Sequence, residues 1–339
     1  MAKRKLNNQQ KRRVQKTRTP SNKPIKNKQT DHSKLGEPQS GLVITNFGKR
    51  LLVESSEQKL YNCSVRQHLG KLVAGDVVTW QTDIEDNSGV VSSSEPRRQT
   101  LTRPGFRGQT RMIAANIDLL GIVMPVEPGI HPDMIDRYLV AAHQLDLPIF
   151  LVINKIDLVQ SEEHWDAIAE ILTPYDDLGI NIYPVSVKSG EGLDKLRALL
   201  STNNSVFVGP SGAGKSSLIK ALSPDIEIKI NELSESTGLG RHTTTNSILY
   251  HLPIFEGNIG NIIDSPGVRQ FTPAPCSLQE LEQAYDDFSP FLGQCKFNNC
   301  THTIEPSCAI QAAVEEGNID YNRFQSFQRL MSEFKEASD

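Results

Sequence analysis

The segment that could most clearly do chemistry is Gly209-Pro-Ser-Gly-Ala-Gly-Lys-Ser, residues 209–216. It has the spacing of a phosphate-binding loop, and it lies between an apolar run typical of a strand and a stretch typical of a helix. Glycines let backbone N–H groups surround phosphates, and the start of the following helix adds partial positive charge. In such a loop Lys215 reaches the β- and γ-phosphates and the Ser216 hydroxyl ligates Mg²⁺. The segment predicts a nucleoside triphosphate site with these candidate contacts: Gly209, Pro210, Ser211, Gly212, Ala213, Gly214, Lys215, Ser216 and Ser217.

A second motif, Asn154-Lys155-Ile156-Asp157, follows an apolar run and indicates which base is bound. The Asp157 carboxylate can accept hydrogen bonds from N1–H and the exocyclic amine of guanine, whereas adenine has no donor at those positions. Asn154 can join the base edge to neighbouring loops, and the stem of Lys155 can lie over the ring. The segment Ser186-Val187-Lys188 follows the next predicted strand and adds a backbone N–H for the guanine O6. Together these elements favour GTP over ATP.

Asp264-Ser-Pro-Gly267 ends another apolar run and is the candidate for metal and γ-phosphate contacts. An aspartate at the end of a strand can hold Mg²⁺ through water, and the Gly267 N–H can contact the γ-phosphate. The same four residue types also form good turns, so a plain strand-to-turn junction is the alternative interpretation.

The polar, Gly-rich segment 238–245 lies between these two motifs and suits a loop that closes on Mg²⁺ and the γ-phosphate. Spacing does not decide which of its three consecutive threonines, 243–245, makes the contact, and Thr244 is taken as the candidate. Many signalling GTPases carry a water-orienting glutamine where this chain has Val268, so we expect slow intrinsic hydrolysis. His242 is the nearest group that could orient a water, and a solvated loop histidine is the alternative.

The third chemical cluster is Cys-x₄-Cys-x-His-x₅-Cys, formed by Cys295, Cys300, His302 and Cys308. Three thiolates and one imidazole make a closed tetrahedral set, which is the structural type of zinc site. We therefore assign the cluster no catalytic chemistry. The chain has five cysteines in all, too few for a disulfide scaffold, and the other two are predicted to be small core residues.

The elements before residue 100 are predicted to be five short strands, without a helix-period segment between them. They are Gly41–Ile44, Lys49–Glu54, Tyr61–Val65, Asp76–Gln81 and Gly89–Val91. This spacing predicts a small OB-like β-barrel. Such barrels often bind oligonucleotides, and a β-domain that serves only as a spacer is the alternative.

From about residue 112 the pattern changes to buried strands that alternate with amphipathic helices. The predicted strands are Ile117–Met124, Ile149–Asn154, Ile182–Ser186, Ser205–Gly209, Ser247–Leu252 and Asn261–Asp264. The predicted helices are Pro132–Leu145, Ser161–Leu172, Gly192–Leu200 and Lys215–Leu222. This alternation specifies a mostly parallel sheet covered on both faces. Residues 277–339 look helical at their ends, with the Cys/His cluster between.

The charge distribution sets the first 34 residues apart. They contain 12 Lys or Arg and a single acid, Asp31, in a chain whose net charge is −4. We expect a disordered basic arm that binds a polyanion such as nucleic acid, and a solubilising tail is the alternative. No stretch approaches the roughly 18 apolar residues that span a bilayer, and the N-terminus has no apolar signal core. The sequence predicts a soluble protein inside the cell.

The order of the motifs is unusual. In translation-type GTPases the phosphate loop comes first, but here the guanine motif and residues 186–188 precede it, and 243–245 and 264–267 follow it. This is the order of a circularly permuted GTPase. A basic arm (1–38), an OB-like barrel (39–100), a permuted α/β GTPase domain (101–275) and a mostly helical zinc-binding domain (276–339) together resemble the bacterial ribosome small-subunit-dependent GTPase A family.

The resemblance implies a cytoplasmic, monomeric GTP hydrolase that acts late in maturation of the 30S ribosomal subunit. It implies that the chain binds the 30S subunit and its rRNA, which stimulates hydrolysis, and that it uses GTP/GDP, Mg²⁺ and one structural zinc. It implies no membrane partner. The rival hypothesis is a non-catalytic RNA-binding assembly factor for which GTP is only a structural ligand.

Overall fold

The structure is a computed structural model, and it describes residues 35–48, 50–83, 88–104, 110–224, 247–264 and 273–338. Residues Gly36–Asp339 form one compact unit. In the part of the chain that the structure describes, no helix is both long and apolar enough to cross a membrane.

The first five strands form a closed barrel. They are β1 (Gln39–Asn46), β2 (Arg50–Ser55), β3 (Leu60–Val65), β4 (Val77–Asp83) and β5 (Ser88–Ser94). Their order is β1-β2-β3-β5-β4, and β4 pairs with β1 to close the barrel. All pairs are antiparallel except β3–β5. Inward-facing side chains, among them Trp80 and Cys63, form its core. The predicted OB-like barrel is confirmed.

A β-hairpin that the sequence patterns did not indicate follows the barrel. Its strands are β6 (Thr100–Pro104) and β7 (Thr110–Ala115), which form a separate two-stranded sheet. Its polar residues interrupt the apolar alternation, so no strand signal appears in the sequence. The hairpin packs on the main core through Leu101 and Ile113, and the backbone N–H of Ala115 donates to the carbonyl of Ala74.

The central sheet contains β8 (Leu119–Pro125), β9 (Ile149–Asn154), β10 (Ile182–Val185), β11 (Asn204–Val208), β12 (Ile248–His251) and β13 (Asn261–Asp264). The strands β10-β9-β8-β11-β13 are parallel, and β12 runs antiparallel beside β13. The mostly parallel sheet is thus confirmed. One finding goes beyond the prediction: β12 also pairs with β1 of the barrel, so barrel and sheet are hydrogen-bonded to each other.

Helices cover both faces of this sheet. They are α1 (Pro132–His143), α2 (Glu162–Asp177), α3 (Leu193–Leu200) and α4 (Lys215–Leu222). Alternate residues of β8, β9 and β11 point into two separate cores, one shared with α1 and α2 and the other with α3 and α4. The predicted cap Ser161 accepts from the backbone N–H of His164 at 3.2 Å. Helix α2 runs five residues past its predicted end at Leu172, with Pro174 inside it.

The C-terminal region is helical, as predicted. It consists of α5 (Leu278–Gln283), a 3-10 segment (Asp286–Phe291), α6 (Ala309–Glu315) and α7 (Tyr321–Ser338). Its aromatic core includes Tyr285, Phe288 and Phe327, and Cys300 and Cys308 belong to the same cluster. Val140 of α1 also packs into this core, so α1 contributes to both the sheet's covering layer and the C-terminal region.

Candidate functional site

The predicted nucleotide motifs come together at one edge of the central sheet. In the parallel pairing Asn154 lies opposite Val185, and Val208 lies opposite Ile122. The motifs that follow β9, β10 and β11 therefore emerge at the same carboxyl edge, which is where open α/β sheets bind ligands. Asp264, the last residue of β13, belongs to the strand adjacent to β11.

The loop after β11 has the backbone of a phosphate cradle. Gly209, Gly212 and Gly214 have φ values of 143°, 82° and 88°. A Cβ at Gly209 would collide with the carbonyl oxygen of Val123, and one at Gly214 would collide with the side-chain amide of Asn154. Both positions thus require glycine for conformation and for space.

Lys215 is the first residue of α4, directly after this loop. Its Nζ donates to the carbonyl oxygens of Gly209 and Pro210, each at 2.7 Å. The Ser216 and Ser217 side chains are exposed in the first turn of the same helix. A cation and a hydroxyl therefore stand at a helix N-terminus, where anions are favoured.

Asn154 joins the guanine motif to the phosphate loop. Its side chain is buried, Nδ2 donates to the carbonyl of Ala213 at 2.8 Å, and Oδ1 accepts from the backbone N–H of Lys155 at 2.8 Å. Lys155 has a left-handed backbone with φ of 68°, and its Nζ donates to the carbonyl of Glu127 at 2.9 Å. The sequence prediction that Asn154 ties loops together agrees with this geometry.

Asp157 is held by the segment that follows β10. The hydroxyl of Ser186, which is fully buried, donates to Asp157 Oδ1 at 2.6 Å and accepts from the Ser189 N–H at 3.1 Å. Lys188 Nζ lies 3.8 Å from Asp157 Oδ2. These contacts orient the carboxyl oxygens of Asp157, and oxygen acceptors are the groups that guanine donors require. Ile156 and Val187 instead pack their side chains against the two cores.

Asp264 ends β13 and is half-buried, beside the strand that leads into the phosphate loop. An aspartate in that place, with the Ser216 hydroxyl, is a ligand set that suits Mg²⁺. The predicted contacts Gly267, His242 and Thr244, and also Val268, lie outside the described residues.

The four cysteine and histidine residues of the C-terminal cluster also come together. One ligand atom from each of Cys295, Cys300, His302 and Cys308 lies within 4.8 Å of all the others. The Nδ1 atom of His302 faces the thiols, 3.2 Å from Cys308 Sγ and 3.7 Å from Cys295 Sγ. Cys295 Sγ also accepts a hydrogen bond from the backbone N–H of Ala309. The arrangement fits a tetrahedral metal centre.

Protons and a metal ion compete for the thiols of this cluster. Burial raises the pKa of the Cys300 thiol to about 12 and also raises the pKa of Cys308. Buried thiols without a cation therefore stay protonated, whereas coordination to a divalent ion deprotonates them.

Glu282 is a site residue that the sequence patterns missed. Its Oε1 accepts from His302 Nε2 at 2.8 Å, and both side chains are largely buried. This contact selects the tautomer in which Nδ1 is free to bind a metal. A single glutamate twenty residues before His302, on a different element, carries no signal in the sequence.

A phosphate loop that follows its guanine motif, instead of preceding it, defines the class of protein: a circularly permuted P-loop GTPase. Residues 94–273 match the family model described as RsgA GTPase. The chain belongs to the RsgA GTPase family, which confirms the resemblance inferred from the motifs. It is a GTPase, and GTP, GDP and Mg²⁺ are the ligands that this activity implies.

Individual relatives agree with this assignment. A protein of Hahella chejuensis named small ribosomal subunit biogenesis GTPase RsgA is 40% identical, over 99% of this chain and 98% of that protein. YjeQ from Thermotoga maritima matches with a TM-score of 0.70 and 30% identity, over 88% of this chain and 99% of that one. YloQ, described as a circularly permuted GTPase, matches with a TM-score of 0.68 and 25% identity, over 89% and 96% of the two chains. These matches favour the hydrolase over the non-catalytic alternative.

Proposed function

We propose that this GTPase acts in late maturation of the small ribosomal subunit and that it binds the 30S particle and its rRNA. The observation that carries the proposal is the 40% identity over 99% of the chain to a protein named for small-subunit biogenesis. The five-stranded barrel and the basic composition of residues 1–34 support it, because OB-like barrels often bind oligonucleotides and clustered positive charge attracts nucleic acid. The protein works as a cytoplasmic monomer, and binding to the subunit stimulates hydrolysis.

In this proposal the guanine base is read by Asp157, with Ser186 holding the carboxylate and Asn154 linking it to the phosphate loop. The backbone N–H groups of residues 211–217 bind the phosphates, and Lys215 neutralises charge on the β- and γ-phosphates. Ser216 and Asp264 would hold Mg²⁺, which supplies further charge neutralisation when bound. Water then attacks the γ-phosphorus in line and GDP leaves.

In this proposal two segments, 238–245 and 264–267, complete the site around the γ-phosphate. Thr244 contacts Mg²⁺ and the γ-phosphate, the Gly267 N–H contacts the γ-phosphate, and His242 orients the attacking water. Because Val268 cannot align water, we expect slow hydrolysis by the free protein.

Single-turnover GTP hydrolysis with purified 30S subunits tests the proposal, with 50S subunits as the matched control. We expect stimulation on the order of a hundredfold or more by 30S alone, in the range that completion of a GTPase site provides. Lys215→Ala should abolish the reaction under both conditions. Equal rates with 30S, with 50S and without subunits would contradict the ribosomal role while leaving the GTPase assignment intact.

We further propose that the C-terminal cluster holds one structural zinc ion through Cys295, Cys300, His302 and Cys308. The support is the closed donor set and the mutual distances of the ligand atoms. The four protein ligands fill a tetrahedral ion, so the metal would stabilise the fold and would leave no open position for chemistry.

Replacing Glu282 with alanine is expected to weaken zinc binding about 10-fold or more, because the His302 ring loses the acceptor that orients it. A competition titration with a chromophoric chelator measures the affinity. Glu280→Ala is the control: Glu280 caps the start of the same helix through Ser277, so it reports on helix loosening alone. Equal zinc affinity in the two variants would show that the Glu282 contact does not position the ligand.

A further inference from the structure

The place of Asp264 in the sheet depends on β12. In the described part of the sheet, β11 pairs with β13 only as far as Ile263, whereas β12 pairs through to Asp264, which lies opposite Ile248. Ile248 also lies opposite Thr45 of the barrel. These residues form one row across three strands, and because neighbouring strands lie about 4.8 Å apart, the backbone of Asp264 is about 10 Å from that of Thr45.

The barrel holds the two ends of β12 in different ways. Among the described strands, the ladder between β1 and β12 has a single residue pair, at the first residue of β12. Next to it, Ile44 and Leu52 of the barrel pack in the same core as Leu249. Apolar packing has no preferred direction, so it does not by itself fix the far end of β12, where His251 lies.

His251 joins this far end of β12 to the barrel. Its Nε2 lies 2.6 Å from Glu54 Oε2 of β2, and its Nδ1 lies 2.6 Å from Asn261 Oδ1 of β13. The side chains of Glu54 and His251 are 11% and 23% exposed, so the contact is largely removed from water and its electrostatic attraction is strengthened. A single side chain thus contacts both the barrel and the strand that carries Asp264.

The hydrogen bonds beyond Asn261 determine where the protons of His251 lie. Asn204 Nδ2 donates to the carbonyl of Asn116 at 3.2 Å, so Asn204 Oδ1 is the atom that accepts from Asn261 Nδ2 at 2.7 Å. The oxygen of Asn261 then faces His251 Nδ1, which must carry a proton. One further proton lies between Nε2 and the Glu54 carboxyl, and it resides on the imidazole, which is the stronger base. His251 is therefore an imidazolium ion paired with Glu54.

We propose that the barrel positions Asp264 for Mg²⁺ through β12, and that the ion pair of Glu54 with His251 is the contact that fixes β12 for this role. The pair holds the last residue of β12 against β2, while the row through Ile248 holds its first residue. With both ends fixed, β12 sets the backbone position of Asp264 and hence the direction of its carboxylate. Glu54 and His251 are positioning residues, since they act through β12. The inference rests on the proposed role of Asp264 as a magnesium ligand.

The first test is Glu54→Ala, which removes the barrel's contact with His251. Its matched control is Glu57→Ala, which removes an exposed barrel carboxylate whose partner is Lys59. The measured quantity is the factor by which Mg²⁺ tightens binding of a non-hydrolysable GTP analogue, obtained from titrations with Mg²⁺ and with EDTA. We expect this factor to fall about three- to tenfold in Glu54→Ala alone, the range that corresponds to one hydrogen bond. The affinity in EDTA should stay at the wild-type value in both variants.

Glu54→Gln separates the positioning role from a general loss of stability. A glutamine amide can donate to Nε2 of a neutral His251, so the contact persists without its charge. We expect Glu54→Gln to recover most of the wild-type factor. A factor that is unchanged in Glu54→Ala, or that falls equally in Glu57→Ala, would overturn the positioning role. An equal loss of affinity with Mg²⁺ and with EDTA would also overturn it, because Glu54 would then act on nucleotide binding in general.

Asp264→Ala distinguishes this failure from a wrong magnesium assignment. If Asp264→Ala lowers the factor and Glu54→Ala does not, the positioning role alone is wrong. If Asp264→Ala leaves the factor unchanged, Asp264 does not hold Mg²⁺ and the inference fails with that assignment.

The second test uses the wild-type protein and so does not depend on the folding of a Glu54 variant. Nitrogen NMR of the histidine-labelled protein near neutral pH should show both ring nitrogens of His251 protonated. His251→Gln identifies the signals of this ring among the eight histidines of the chain. A His251 ring with one unprotonated nitrogen would show that Glu54 and His251 do not form an ion pair, and it would overturn the proposal.

Discussion

The Asp157→Asn variant is expected to prefer xanthine over guanine nucleotides, with GTP affinity reduced about a hundredfold or more. The carboxylate accepts from two guanine donors, and an amide presents its own N–H groups to them. Xanthine carries a carbonyl in place of the exocyclic amine, so it can accept from that amide. The Ser186 hydroxyl, 2.6 Å from Asp157 Oδ1, can still donate to the asparagine oxygen, so the side chain should keep its place.

Competition between GTP and XTP for a fluorescent GDP analogue measures this shift. Ser186→Ala is the matched control, because it removes the orienting bond and leaves the carboxylate. That variant should lose GTP affinity without gaining XTP affinity. An Asp157→Asn protein that still prefers GTP to XTP by the wild-type factor would show that another residue reads the base.

The Cys300→Ser variant is expected to lose its zinc and to destabilise the C-terminal region by on the order of 3 kcal/mol. Cys300 and Cys308 lie in the same hydrophobic cluster as Phe327, so loss of the metal leaves polar groups in a core. Nucleotide affinity should stay within a few-fold of wild type, because the cluster does not belong to the phosphate loop.

Elemental analysis of the purified protein, with thermal unfolding and nucleotide titration, tests this expectation. Cys276→Ser is the control, since Cys276 is half-buried beside α5 and is not one of the four clustered residues. Zinc at one equivalent in wild type and Cys276→Ser, and none in Cys300→Ser, is the expected pattern. Wild-type protein with no zinc would contradict the structural role of the cluster.

The sequence by itself determines the parts of this protein in which chemistry dictates residue type at fixed spacing. The phosphate loop needs glycines at 209, 212 and 214 for backbone conformation, and the metal cluster needs four donors within one short segment. Both patterns are local, so they are visible without a fold. The five barrel strands and the α/β alternation are similarly local, because burial of one face produces a period of two or of 3.6 residues.

The order of the motifs along the chain is also a property of the sequence, and it is enough to indicate permutation. It does not indicate that β1 of the barrel continues the central sheet through β12. Strand pairing between distant segments depends on which edges are left free once each unit has folded, and no residue pattern encodes that.

Only the tertiary structure shows which side chains that are distant in the sequence contact each other. Asp136 and Arg323, which are hydrogen-bonded, lie 187 positions apart, and Glu282 of α5 bonds His302, which lies in a loop before α6. Such contacts are determined by packing between elements, since a buried charge or hydroxyl finds its partner in space and not along the chain.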